Sequence, residues 1–130
     1  NSDAEAVAGS NCVSFYKGVP VFLVEEMGGS MSFMSIFFDK SQGTEVLKHE
    51  RGHSSQLVSM GPLNYLVQIA LPSVWKNEDE TPWELSASIL GGSALSNSSS
   101  GQQIKQARNY QLRSLVPILN IYNIYQYITY

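Results

Sequence analysis

The chain is poor in the groups that usually announce a protein's chemistry. It has a single cysteine, Cys12, in 130 residues. That excludes an internal disulfide and any zinc site built from several thiolates, so a metal here must rely on histidine and carboxylates. Cys12 itself reads as a small packing residue. Histidine is equally scarce, with two in the chain. Charged side chains make up 15% and the net charge is -3. No basic patch stands out, so nucleic acid is not an expected partner. Low charge together with 43% hydrophobic residues excludes general disorder. No clean apolar run of about 18 residues is present. The nearest approach, Leu112 to Tyr130, is broken by Arg113, Asn120, Asn123 and Gln126, so membrane contact is not the leading expectation.

What is there suits one domain. Residues 1–11 are small, polar and acidic and read as a flexible lead-in to a single domain over 12–130. With no Met and no apolar leader at its start, the chain reads as a piece cleaved or excised from something larger. Cys12 to Tyr16 and Val19 to Val24 are β-branched and aromatic, and Lys17-Gly18 between them predicts a hairpin. Gly28-Gly29 is a breaker. Met31 to Phe38, apolar on both alternating faces, predicts a strand that is either central or an edge able to take an extended peptide by β-addition. Ser41 or Thr44 should cap a helix with Glu45 in its first turn. The stripe Val46, His49, His53, Leu57 keeps helical spacing, and Gly61-Pro62 stops the helix. Leu63 to Leu71 predicts a second, buried helix ended by Pro72. Pro82 opens a third, Trp83 to Leu90, closed by Gly91-Gly92. Ser93 to Gly101 is a Ser/Asn-rich loop, and Gln102 to Leu115 a helix. Pro117 to Tyr130 fits either strand or helix.

Both histidines fall in one motif, His49-Glu50-Arg51-Gly52-His53. Positions i and i+4 of an α-helix project from the same face, so His49 and His53 can aim imidazole nitrogens at one ion. Glu50, one residue along, leans to the same edge and can hold a water there and take its proton. The plainer alternative is a solvated helix face with two ordinary histidines; another is a metal site that does no chemistry. A catalytic zinc usually takes three protein ligands. With no third histidine, the third donor must be a carboxylate. Glu84, opening the helix after Pro82-Trp83, is the best candidate, although a first-turn carboxylate is also favoured by the helix dipole alone. Glu78, Asp79 and Glu80 are alternatives in an acidic run that suits a solvated loop.

The stretch from Lys48 to Gly92, about a third of the chain, resembles a metallopeptidase domain found at the C-terminal ends of bacterial Rhs-repeat and related polymorphic toxins. The matching pieces are HERGHSSQL (49–57), MGPLNYL (60–66), IALPS (69–73) and PWELSASILGG (82–92). The family usually shows Trp-Glu-x-x-Ala-Asp, an arrangement similar to gluzincins, in which the Glu binds zinc and the Asp supports a ligand histidine. Here Glu84 and Ala87 keep the pattern, and Ser88 stands where the Asp would be. A serine can hydrogen-bond an imidazole but brings no charge, which weakens support of a kind worth 10- to 100-fold in other zinc sites.

The resemblance implies an α+β, zincin-like fold: a small β-sheet packed on the active-site helix, with further C-terminal helices. It implies Zn2+ on His49, His53 and Glu84, Glu50 as catalytic base, and a protein or peptide substrate. It also implies a toxin tip secreted or delivered into a competing cell, a parent polymorphic-toxin chain, and an immunity protein as antagonist. Two rivals remain. One is a membrane-active toxin whose zinc is structural, prompted by Leu63 to Leu71 and Leu112 to Tyr130. The other is a zincin-like binding module that has lost activity, prompted by Ser88. Among other residues, Glu45 could orient His49 but suits the helix dipole; Lys48 and Arg51 should face solvent. Tyr65, Tyr110, Tyr122 and Tyr125 could each stabilise an oxyanion or serve in packing.

Overall fold

In the computed structural model, residues 2–9, 13–25, 30–33, 35–76, 81–95, 100–115 and 120–129 are described. The fold is mixed α+β, a four-stranded sheet with helices before and after it. The chain forms two compact units, Asn1–Ser55 with Ala87–Ala94, and Gln56–Ser86 with Leu95–Tyr130.

In the first unit, α1 (Ser2–Ala8) occupies most of the stretch expected to be a flexible lead-in. Its alanines and Val7 supply the reason: Ala4 and Val7 are buried in the core, and the N–H of Ala4 is satisfied by the Thr44 hydroxyl at 3.2 Å. A polar composition hid a short helix in which Ala4 and Val7, three residues apart, share the buried face. β1 (Val13–Tyr16) and β2 (Val19–Val24) form the expected hairpin, with Tyr16 opposite Val19. Lys17 and Gly18 turn with φ of 48° and 83°, the left-handed pair that matches strand twist in a two-residue loop. Met31 to Phe38 is not one strand. It is β3 (Met31–Phe33) and β4 (Ser35–Asp39), folded back antiparallel so that Phe33 faces Ser35. Apolarity on both faces marked the stretch as strand, and it carries no signal for the reversal. The sheet order is β1-β2-β4-β3, with β2 and β4 parallel. β4 is therefore central and β3 is an edge. Ile36 and Phe38 point into the core with Val21 and Leu47, each worth roughly 2 kcal/mol of apolar burial. Asp39 closes β4 by accepting from the N–H of Ser41 at 2.9 Å and its hydroxyl at 2.7 Å, which turns the chain into α2 (Thr44–Met60).

In the second unit, Gly61 stands at φ 82° after α2, and α3 (Pro62–Tyr65) begins at once. A π turn (Leu66–Ala70) follows and then α4 (Leu71–Trp75). Pro72 was expected to stop this helix; it lies inside α4. The wider π turn absorbs the missing N–H, and the carbonyl of Gln68, four residues before Pro72, accepts the Tyr110 hydroxyl instead. The segment also buries one face only: Tyr65, Gln68 and Ile69 are inside, while Leu63 and Leu71 are exposed. α5 (Pro82–Gly91) ends where Gly92 takes φ 72°. α6 (Gly101–Ser114) starts in a capping box between Ser100 and Gln103. The ambiguous tail contains α7 (Asn120–Thr129). Trp83 and Tyr110, with ring centroids 5.8 Å apart, centre this unit's core beside Ile69 and Tyr65. Gly28-Gly29, Cys12 and Pro117 lie outside the described residues.

Candidate metal centre

α2 and α5 bring the chemistry together. His49 and His53 sit one turn apart on α2, their rings edge-on with centroids 4.8 Å apart. On α5, Glu84 lies in the first turn and Ser88 one turn later. His49, His53 and Glu84 each offer one ligand atom, and these atoms all lie within 4.8 Å of one another. His53 and Glu84 are buried and His49 partly so. The three residues chosen as ligands from the sequence thus form one group that can hold a metal ion. Glu50 is buried on the same helix.

The helices cross almost backbone to backbone. A Cβ on Gly52 would fall 1.8 Å from the Ala87 carbonyl oxygen, and one on Gly91 1.8 Å from that of Lys48. Only glycine fits at either position. The close crossing sets Ser88 against His49, whose Nδ1 lies 2.7 Å from the Ser88 Oγ. Ser88 thus takes the bond expected of it. With Nδ1 so engaged, Nε2 is the nitrogen left to face an ion. One turn beyond His53, Gln56 is fully buried and its amide donates to the Trp83 carbonyl at 3.2 Å and to the Ser86 hydroxyl at 2.6 Å. Those acceptors flank Glu84 and fix the turn that presents it. Sequence reasoning missed Gly52 and Gln56, and gave Gly91 only the role of closing a helix. A signal was present for Gly52, since a glycine in a helix interior costs about 1 kcal/mol and calls for a packing reason.

Other candidates fall elsewhere. The carboxylate of Glu45 accepts from the Ala94 N–H and from the Lys48 ammonium. Those two contacts, the Ala94 bond first, hold its carboxyl below the usual carboxylate range. It serves the end of α5's following loop and α2's surface. Lys48 is half-exposed in its pair with Glu45 at 3.2 Å. Arg51, expected in solvent, is half-buried and donates to the Ser55 hydroxyl at 2.6 Å. Tyr65 and Tyr110 are core residues, and Tyr122 and Tyr125 are exposed on α7. Glu78, Asp79 and Glu80 lie outside the described residues. No protein-family model, no curated protein and no solved structure matches the chain, so the use of this centre has to be argued from its own residues.

Proposed function

We propose that this chain is a zinc-dependent hydrolase, a metallopeptidase of zincin-like, gluzincin-like architecture. The observation that carries the reading is the two-imidazole, one-carboxylate group of His49, His53 and Glu84 on α2 and α5. Its donor set is that of catalytic zinc in enzymes that keep a fourth position open. The orienting bond from Ser88 to His49 Nδ1 is the kind of support that ligand histidines need. Zinc bound there would polarise a scissile carbonyl and make water nucleophilic near neutral pH. Glu50 is the base in this reading. Its carboxylate takes one proton from the attacking water and gives it to the leaving nitrogen, which yields a carboxylic acid and an amine; the acid's remaining proton then passes to the amine, so the products are a carboxylate and an ammonium.

The peptide class is supported by β3. It is one of the two edges of the sheet, and its Ser32 hydroxyl lies 3.0 Å from that of Ser54, next to His53 on α2. An extended chain pairing along that edge would run beside the helix that carries the histidines. The resemblance to polymorphic-toxin metallopeptidases is what supports a secreted or delivered toxin tip, a parent toxin chain and an immunity protein.

The test is metal analysis of the purified protein together with Glu50→Gln, assayed on a peptide library. The expected result is about one equivalent of zinc in both proteins, with hydrolysis lowered by several orders of magnitude in the variant. Turnover close to that of the parent would remove Glu50 from the mechanism. Absence of zinc after loading would overturn the reading altogether.

A further inference from the structure

The segment from Pro62 to Trp75 carries a surface that hydrolysis does not use. α3, the π turn and α4 form one continuous helix, since Tyr65, Leu66, Ala70 and Leu71 at the two junctions all keep right-handed helical backbone. Its inner face is taken: Tyr65, Gln68, Ile69 and Pro72 are buried. The outer face is apolar as well. Leu63, Leu66, Leu71, Val74 and Trp75 are 39–86% exposed, and no residue from Pro62 to Trp75 carries a charge. The first four stand at intervals of three, five and three residues. In a regular α-helix a packing seam advances by three and four residues in turn, and a π turn takes one residue more. The interval of five spans the π turn, Leu66–Ala70. Its extra residue keeps Leu71 and Val74 in line with Leu63 and Leu66; in a regular helix they would drift by about 100° round the axis. The four therefore make one seam on a single helix, with Trp75 beside it, turned away from the core.

We propose that this seam is a homodimer contact, closed by the same helix of a second copy running antiparallel to it. Scaled by their exposures, five residues of roughly 150–250 Å2 each leave about 600 Å2 uncovered. That is the upper end of what a monomer shows in one apolar patch. Two copies together would cover about 1,200 Å2, the lower edge of stable interfaces, so the dimer should be of micromolar strength. The pairing is isologous. About a two-fold axis, Leu63 of one copy meets Val74 of the other, and Leu66 meets Leu71. With no charge on the helix, identical faces bring no like charges together. A bilayer suits the seam less well: interfacial helices flank their apolar face with cations, whereas this stretch has none and the chain carries a net charge of -3. An extended peptide would seek a strand edge instead.

The test is sedimentation velocity of the full chain over a range of about 1–200 µM. The expected result is a reversible monomer–dimer equilibrium that a chelator leaves unchanged, which separates it from the zinc reading. Leu63→Glu and Val74→Lys each alter both symmetry-related contacts, so either alone should weaken association by roughly 100-fold. Mixed one to one, the two variants should associate again. The antiparallel pair then sets the new carboxylate against the new ammonium and keeps one native Leu63–Val74 contact. Both positions are exposed, and an unchanged circular dichroism melt will show that the variants fold. A monomer at every concentration, a dimer that survives either substitution, a dimer that a chelator dissolves, or single variants whose mixture stays monomeric would overturn the proposal. So would a monomeric protein that binds phosphatidylcholine vesicles until these residues are changed, since lipid would then be the occupant.

Discussion

Gly52→Ala sets two physical effects against each other with opposite signs. Gly52 lies inside the 17-residue α2, where replacing glycine by alanine should by propensity alone stabilise the helix by about 1 kcal/mol. The crossing with α5 says otherwise. The new methyl would sit 1.8 Å from the Ala87 oxygen and 2.6 Å from its carbonyl carbon, where ordinary contact begins at 3.4 Å. The obstruction is backbone, so no side chain can swing away. The helices must part by about 1.5 Å at this point, the distance that brings the clash to ordinary contact. Overpacking of this kind costs typically 1–3 kcal/mol, and a backbone clash falls at the upper end. After the propensity gain, a net loss of about 2 kcal/mol remains. With a urea slope of about 2 kcal/mol/M, the midpoint should fall by about 1 M. Parting the helices also moves Ser88 from His49, now 2.7 Å away, and shifts Glu84 on the same helix. Metal ligands tolerate misplacement of only about 0.2 Å, so zinc affinity should fall as well. The assay is urea unfolding with chelator present, followed by zinc competition against a chelating dye. A midpoint that rises in Gly52→Ala, with zinc affinity intact, would refute the crossing as the reason for this glycine.

Glu84→Ala should lower zinc affinity sharply and abolish hydrolysis, while Glu78→Ala, Asp79→Ala and Glu80→Ala should change little; dye competition decides, and parent-like affinity in Glu84→Ala would remove it as third ligand. Ser88→Asp should leave zinc affinity equal or raise it, because a carboxylate on His49 Nδ1 strengthens the ligand; a clear loss would mean the serine contact at 2.7 Å admits no charge. Removing residues 117–130 takes Asn123 from its bonds to Tyr110 and Ser114 and should leave the second unit aggregating or without a cooperative melt; an equally stable, soluble truncation would show that α7 adds nothing to the core.

The elements nearest the chemistry were those most legible in the sequence. α2 is set by a helical stripe between turn residues and a Gly-Pro stop, and α5 by Pro82 and Gly91-Gly92; caps, periodicity and breakers are local properties that a chain states by itself. The four-residue spacing of His49 and His53 likewise fixes a shared face before any fold is known. What the sequence determined alone was therefore an α+β chain with two imidazoles on one helix face and a short list of carboxylates. Tertiary structure decided the rest. It grouped Glu84 with the two histidines, their ligand atoms within 4.8 Å of one another. It turned Met31–Phe38 into two strands, because double-faced apolarity marks burial and not direction. It kept α4 going through Pro72, because a hydroxyl on another helix took the place of the lost ladder bond. And it put Asn123 of α7 inside, where its amide donates to the Tyr110 carbonyl and the Ser114 hydroxyl. Each of these depends on a partner far away in the chain, and a local pattern cannot name a distant partner.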